Sequence, residues 1–286
     1  MSGNNLKNMK TQTMKIGALI ILSMLVSGLV RAQQDTSEDN KQRITVLLTD
    51  PAKPFKLVAG VVYGSIRVVG YEGKNIVIEI DAEKNKQGDH GSPSGMRRIG
   101  GSGGADISAE QDNNTVKVDG GSSRFHLVTI RVPQTGGDMK VGAVNDGDIT
   151  VENVKGQLEV ANVNGGIHVE GAAGSVVANT VNGNVIVTFR SVNPQAAMAF
   201  STLNGNVDVS FPADFKANMK LKSERGNVFT DFDFEASQTQ PLVHKSVEGH
   251  MQRITIDDWV FGKINGGGPE VMMNTMNGNV YVRKAK

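Results

Sequence analysis

Apolar and polar residues alternate in short runs along most of the chain, and glycines separate these runs at a fixed spacing. Five glycines follow one another at intervals of nine residues: Gly147, Gly156, Gly165, Gly174 and Gly183. An apolar pair follows each glycine, and the pairs are Ile149/Val151, Leu158/Val160, Ile167/Val169, Val176/Ala178 and Val185/Val187. Because side chains two apart share one face of a β-strand, each unit is predicted to be a turn followed by a short strand with one face in a core.

The turns alternate between two kinds, which doubles the repeat to 18 residues and two strands. Asp146, Asn164 and Asn182 precede three of the glycines, whereas Lys155 and Ala173 precede the other two. Asx-Gly suits a sharp corner, since Asn and Asp tolerate a positive φ and Gly adopts it freely. A meander of antiparallel hairpins also uses Asn-Gly turns, but it would favour the same geometry at every turn. The alternation therefore favours an all-β, single-stranded β-solenoid, similar to a parallel β-helix, with short strands and Asx-Gly corners.

The corner recurs at longer spacing towards the C-terminus, which gives coils of about 18 to 22 residues. Asn204-Gly205 and Asn277-Gly278 repeat it, and Arg225-Gly226 is a variant. In a coil, the corner asparagines would lie above one another. We therefore expect a ladder of stacked amides, and its members are Asn164, Asn182, Asn204 and Asn277.

The solenoid domain is predicted to span residues 41–286, with two insertions. Three strand patterns precede the regular block. The one near 44–48 is predicted to cap or lead into the solenoid, and those near 64–69 and 73–80 are predicted to be its first coil. Residues 84–114 are rich in Gly, Ser, Lys and Asp and are predicted to be a flexible insertion. Residues from about 232 to 262 form a second, structured insertion that contains Trp259, the only tryptophan, as a candidate core cap.

The first 32 residues have the pattern of a signal peptide. Lys10 and Lys15 precede an apolar run over 16–26, and Ala32 ends a small-residue cleavage motif. The run is shorter than the roughly 20 residues of a membrane span, so no stable span is expected after cleavage; an uncleaved anchor is the alternative. A polar linker over 33–40 follows. The mature chain is therefore expected to be exported, to the periplasm or the cell surface.

Charge and cysteine content narrow the classes of partner and site. Removal of 1–32 leaves 26 basic residues (30 minus four) against 29 acidic ones, without a Lys/Arg stripe, which argues against nucleic acid. The chain has no cysteine, which excludes disulfides, thiolate metal sites and lipid attachment through an N-terminal cysteine. Stability is expected to come from packing and strand hydrogen bonds.

The spacing of His, Asp and Glu residues gives little indication of a metal site or of acid–base catalysis. The five histidines, at 90, 126, 168, 244 and 250, lack ligand spacing, and the nine-residue repeat lacks the recurrent Asp of calcium-binding nonapeptides. Asp146 and Asp148 form a single weak corner candidate. Asp231, Asp233 and Glu235 are expected to share one strand face, as its solvated side, with Phe232 and Phe234 in the core; Asp257-Asp258 is a further acidic pair. No cofactor and no metal site are predicted.

These features resemble a known bacterial family. The leader, the early Gly64-Ser-Ile-Arg-Val68 strand, the tandem Asn-Gly-Asn-Val units and the final Met276-Asn-Gly-Asn-Val-Tyr-Val282 rung look like the "putative adhesin" family of exported β-solenoid proteins. The similarity covers roughly 40–286. The resemblance implies the fold and an envelope location, and it supplies no catalytic residues.

A column of outward side chains, three residues past each corner glycine, is the candidate binding surface. It consists of Thr150, His168, Ile186, Asp208, Phe229 and Tyr281. Rungs about 4.8 Å apart would present it as a flat strip suited to a glycan or an extended envelope protein. The predicted function is a non-catalytic adhesin or envelope binding scaffold, with a glycan-processing enzyme or an envelope-stress accessory protein as alternatives. The sequence does not specify an oligomeric state.

Overall fold

The computed structural model describes residues 41–82, 107–237, 242–248, 251–257 and 259–286. The predicted signal peptide (1–32), the linker (33–40) and most of the first insertion lie outside these ranges. The described residues are strands, turns and irregular segments without a helix, and so they contain no helix that could cross a membrane. Within the predicted insertion 84–114, residues Ser108–Asp112 form a strand.

The described residues form twenty-one strands. The first half contains β1 (Lys41–Leu47), β2 (Phe55–Tyr71), β3 (Asn75–Ala82), β4 (Ser108–Asp112), β5 (Thr115–Asp119), β6 (Arg124–Pro133), β7 (Gly137–Asn145), β8 (Ile149–Glu152), β9 (Lys155–Ala161), β10 (Ile167–Asn182) and β11 (Val185–Val192). The second half contains β12 (Met198–Asn204), β13 (Val207–Phe211), β14 (Ala217–Ser223), β15 (Val228–Thr230), β16 (Phe234–Ala236), β17 (Leu242–Glu248), β18 (Met251–Asp257), β19 (Val260–Ile264), β20 (Glu270–Asn277) and β21 (Val280–Lys284).

Each coil contributes one strand to each of two parallel sheets. The back sheet contains the strands that precede the Asx-Gly corner, in the order β5, the first half of β2, β7, β9, the second half of β10, β12, β20 and β14. The front sheet contains those that follow it, in the order β6, the second half of β2, β8, the first half of β10, β11, β13, β21 and β15. Parallel stacking with two strands per coil confirms the predicted β-solenoid.

The coils do not stack in chain order. The coil of residues 55–71 lies between those of 115–133 and 137–152, because β2 pairs with β5 and β6 on one side and with β7 and β8 on the other. In the same way, the C-terminal coil of 270–284 lies between 198–211 and 217–230. The nine-residue spacing could not indicate this order, since it records only the length of each unit.

Antiparallel strands cover both ends. At one end β3 pairs antiparallel with β6, β1 with β3, and β4 with β5. At the other end β19 pairs antiparallel with β14, and β16 with β19. Segment 73–80, predicted from its spacing to belong to the coil, is therefore an antiparallel cap that begins after the turn at Gly73. Caps of this kind occupy edge hydrogen-bonding groups that would otherwise pair with other chains.

The apolar pairs face one core between the sheets. Ile149, Val151, Val185 and Val187 are fully buried, as the alternation predicted. Ring contacts join the two sheets: the centroids of Phe189 and Phe200 are 6.3 Å apart at an interplanar angle of 82°. Alternation of this kind buries about one residue in two along each strand, which leaves the other half on two flat outer faces.

Candidate binding surfaces

The corner asparagines form the predicted ladder, and it follows the spatial order of the coils. Each side-chain amide donates to the Oδ1 of the asparagine in the preceding coil, at 2.9 Å (Asn164 to Asn145), 2.8 Å (Asn182 to Asn164), 2.7 Å (Asn204 to Asn182) and 2.6 Å (Asn277 to Asn204). Arg225 Nη1 donates to Asn277 Oδ1 at 3.1 Å and ends the row. The repeated asparagines are thus bound to one another.

A second row of bonds fixes the backbone at the same corner. Thr180, Thr202 and Thr275 are buried, and each hydroxyl donates to the carbonyl of a corner glycine in the preceding coil at 2.8 Å. The glycines are required by this close stacking: a Cβ on Gly205 would lie 2.1 Å from the carbonyl oxygen of Gly183. Of the corner Asx residues, Asp146 alone has a positive φ, of 62°. The predicted role of Asn and Asp in the turn conformation therefore holds only there, and the asparagines act mainly through their amides.

The predicted column is brought together on the front sheet. Strand register places Arg67, Thr150, His168, Ile186, Asp208, Tyr281 and Phe229 on seven consecutive rungs. We call these seven residues the front strip. Arg67 is a member that the spacing analysis missed, since its corner is Tyr63-Gly64. Tyr281 precedes Phe229 in space because the C-terminal coil is threaded between its neighbours.

The two ends of the front strip carry different chemistry. At the Arg67 end, the guanidinium donates to both carboxylate oxygens of Glu152 at 2.9 and 2.8 Å. At the other end the rings of Phe229 and Tyr281 are stacked at 5.2 Å and 13°, and 48% of Phe229 is exposed. Stacked, exposed aromatic rings are a common feature of binding surfaces, because they offer a large rigid contact area.

Arg283 links the aromatic end to the middle of the strip. Its Nε donates to Asp208 Oδ1 at 2.8 Å, and its guanidinium carbon lies 4.7 Å from the centre of the Tyr281 ring. The hydrogen bond to Asp208 raises the pKa of Arg283 above its usual value, as the bond to Glu152 does for the pKa of Arg67. These hydrogen bonds hold both guanidinium groups in a fixed orientation.

The acidic and histidine residues considered as candidate metal ligands do not come together in one site. In the described part of the chain no three His, Asp or Glu residues lie close enough to hold a metal ion. Asp146 pairs with Arg124 at 2.9 Å, and Asp148 accepts a hydrogen bond from the backbone N–H of Gly166 at 2.6 Å. His168 lies between Thr150 and Ile186 in register, so no carboxylate is directly opposite it on either adjacent rung.

The carboxylates of 231–235 do not share a strand face, contrary to the expectation. Strand β15 ends at Thr230 and β16 begins at Phe234, so Asp231 and Asp233 belong to the connection between the two strands. Asp231 accepts a hydrogen bond from the backbone N–H of Lys284 at 2.7 Å. Phe232 is buried, as predicted, and Phe234 is half-buried. His90, Asp258 and the side chains of His244, His250 and Asp257 lie outside the described part.

The back sheet carries a second surface that the sequence analysis did not identify. Six exposed apolar side chains occupy six consecutive rungs, and we call them the back ridge: Val62, Val144, Val163, Val181, Leu203 and Met276. Two residues earlier on each strand lies a second row, which we call the back furrow. It holds Gly or Ala on three rungs and Asn or Ser on the other three: Gly60, Gly142, Ala161, Asn179, Ser201 and Asn274. The sequence does contain a pattern that indicates this surface: an apolar residue immediately precedes each of the five asparagines of the ladder.

A comparison with curated proteins finds no match. Among solved structures, the chain is similar to a "putative cell adhesion protein" from Clostridium sporogenes, at 11% identity and a TM-score of 0.42, over 86% of this chain and 100% of that one. The family model described as Toastrack DUF4097 matches residues 23–258. This match covers most of the chain and confirms the resemblance seen in the sequence: the chain belongs to the Toastrack DUF4097 family.

Proposed function

We propose that this chain is an exported, non-catalytic binding scaffold, adhesin-like in role, whose front strip holds an extended glycan of the cell envelope. The observation that carries the proposal is the register of the front strip, seven side chains on seven successive rungs. At about 4.8 Å per rung, the strip is about 29 Å long, which suits an extended polymer better than a compact small molecule.

The composition of the strip supports a glycan. A sugar ring has an apolar face and a rim of hydroxyls, so it needs both aromatic surface and polar partners. The Phe229–Tyr281 pair supplies the surface, while Thr150, His168 and Asp208 supply donors and acceptors along the same line. Asp208 is already oriented by Arg283, which lowers the conformational cost of binding. An extended envelope protein is the other partner that a strip of this shape could contact.

The location follows from the leader predicted at 1–32. A cleaved leader would place the solenoid in the periplasm or at the cell surface, where envelope glycans are accessible. The repeated Asn, Thr and Gly residues at the corners have a structural role, because their hydrogen bonds and close stacking hold successive coils together. The variable outward positions are then the part of each coil that can differ for recognition.

A panel of envelope polysaccharides, measured both for binding and for cleavage, tests the proposal. Replacing Phe229 and Tyr281 together with Ala should weaken binding at least tenfold, since exposed aromatic anchors commonly contribute about 2 kcal/mol. The matched control is Val260→Ala, which removes an exposed apolar side chain from the cap strand β19, away from the front strip. Binding that survives the double replacement contradicts the role of the strip. Release of new reducing ends would instead favour the glycan-processing alternative.

A further inference from the structure

The back ridge is unusual because its exposed apolar residues are contiguous. Between 37% and 41% of each of the six side chains is exposed, and they occupy successive rungs from Val62 to Met276. Single exposed apolar residues are normal on protein surfaces, but contiguous apolar patches mark sites of interaction. The ridge lies on the sheet opposite the front strip, so it is independent of the proposed function.

The back furrow contains two glycines that the fold does not require. A Cβ on Gly142 would meet its nearest atom, the carbonyl oxygen of Ala161, at 3.8 Å, and a Cβ on Gly60 would meet the carbonyl oxygen of Gly142 at 3.9 Å. Both are ordinary contacts, in contrast to the 2.1 Å at Gly205. Glycine inside a strand weakens it, and often marks a place where a ligand or another backbone approaches closely. The empty space at Gly60 and Gly142 therefore points to an occupant.

The furrow is an open cavity of about 730 Å³. Val62, Val144 and Val163 form one wall, Val58 and Lys140 form the other, and the floor is Gly60, Gly142 and Ala161. Four charged residues line the cavity: Glu110, Lys117, Asp119 and Lys140. Lys117 is opposite Glu110 in the β4–β5 register, and the Lys140 amine lies 2.7 Å from a carboxylate oxygen of Glu159. Cations and anions are therefore mixed on this face, and two copies would not present patches of a single sign to each other.

We propose that the back ridge and furrow form an interface with a second copy of this chain. A two-fold axis parallel to the solenoid axis keeps equivalent rungs opposite each other and reverses positions along the strands. The ridge of each copy then enters the furrow of the other, with Val144 over Gly142 and Val62 over Gly60 of the opposite copy. The contact is isologous and closes at a dimer.

A second copy fits better than other occupants because its rungs have the same spacing. Side chains at about 4.8 Å intervals over six rungs match the furrow only if the partner has the same repeat. Six rungs, each about 4.8 Å deep, cover about 29 Å along the solenoid and about 17 Å across it. Such a strip buries about 500 Å² on each copy, or about 1,000 Å² in total, which is the size of a weak, transient interface. A contact of this size is expected to give a reversible dimer.

Sedimentation velocity of the purified chain over a concentration series tests the interface. We expect a monomer–dimer equilibrium below roughly 100 µM. Filling the furrow with Gly60→Val and Gly142→Val should weaken dimerisation at least tenfold while the thermal unfolding midpoint stays within a few degrees. Ile186→Ala on the front strip is the control and should leave dimerisation unchanged. A wild-type chain that is monomeric at roughly 100 µM overturns the proposal.

Cross-linking tests the geometry separately, and the absence of cysteine makes it direct. A mixture of the Val144→Cys and Gly142→Cys variants, treated with a short bis-maleimide, should yield cross-linked dimer. A mixture of Val144→Cys and Asn274→Cys, whose positions are four rungs apart, should yield much less. Equal yields overturn the two-fold arrangement. A monomer that carries lipid in native mass spectrometry would overturn the second copy in favour of an acyl ligand, and neither result bears on glycan binding by the front strip.

Discussion

The side-chain amide of Asn277 donates to Oδ1 of Asn204 at 2.6 Å, although the two residues are 73 positions apart in the chain. The preceding step of the ladder, from Asn204 to Asn182, spans only 22 positions. The long step exists because the C-terminal coil enters the slot between β13 and β15 on the front sheet, and between β12 and β14 on the back sheet. The coil of 270–284 is therefore inserted inside the stack, one coil from its end.

Removal of residues 270–286 should release the coil of 217–230 from the solenoid. Strands β14 and β15 make their parallel pairings in the described structure with β20 and β21, so the deletion removes that connection. We expect hydrogen exchange to lose protection in β14 and β15, while β7 and β9, several coils away, stay protected. Removal of Lys286 alone is the control. Unchanged exchange in β14 after the larger deletion would contradict the threaded order.

Thr202→Val should destabilise the chain by about 1–3 kcal/mol. The buried hydroxyl of Thr202 donates to the carbonyl of Gly183 at 2.8 Å, and valine keeps the shape but leaves that carbonyl without this donor. Thr202→Ser keeps the donor and loses only a methyl group, so it should cost about 1 kcal/mol. Chemical denaturation measures both. If the two variants have equal stability, the hydroxyl bond contributes little at this corner.

Asn182→Asp should introduce a pH-dependent loss of stability. Asn182 donates to Asn164 and accepts from Asn204, and an ionised aspartate can only accept, so it would face the Oδ1 of Asn164 without a proton. The folded ladder should therefore raise the pKa of the new carboxyl above its usual value near 4.

The sign of the effect follows from this shift. The penalty should be absent below pH 4 or so, grow as the pH rises, and be complete above the raised pKa, at about 1–2 kcal/mol. Asn182→Ala should show a penalty that does not change with pH relative to the unmodified chain. Unfolding measured from pH 3 to pH 8 separates the two, and parallel profiles would argue against a proton-dependent ladder.

Gly205→Ala and Gly142→Ala should have opposite consequences for stability. At Gly205 the φ is +152° and the new Cβ would lie 2.1 Å from the carbonyl oxygen of Gly183, so we expect a loss of about 2 kcal/mol or more. At Gly142 the nearest atom is 3.8 Å away, and the change should be neutral or stabilising by about 0.5 kcal/mol. Thermal unfolding checks both, and similar losses would show that the two glycines have the same structural role.

Residues near one another in the sequence determined most of the fold. The two-residue alternation specifies which side chains face the core, and Val185 and Val187 are buried as it predicts. The nine-residue spacing of corner glycines gives the length of each strand-and-turn unit. The stacked amides at Asn164, Asn182, Asn204 and Asn277 were also predictable, because identical corners in successive coils must lie above one another.

The tertiary structure decided which coil lies beside which, and therefore the shape of both candidate surfaces. Backbone hydrogen bonds between parallel strands are nearly the same for every pair of coils, so a repeat cannot encode its own order. For this reason the sequence could not predict that the coils of 55–71 and 270–284 each lie between two other coils. It also could not predict that Tyr281 precedes Phe229 along the front strip. The back ridge was hidden because it is defined by exposure on six rungs at once, a property that forms only when the coils have stacked.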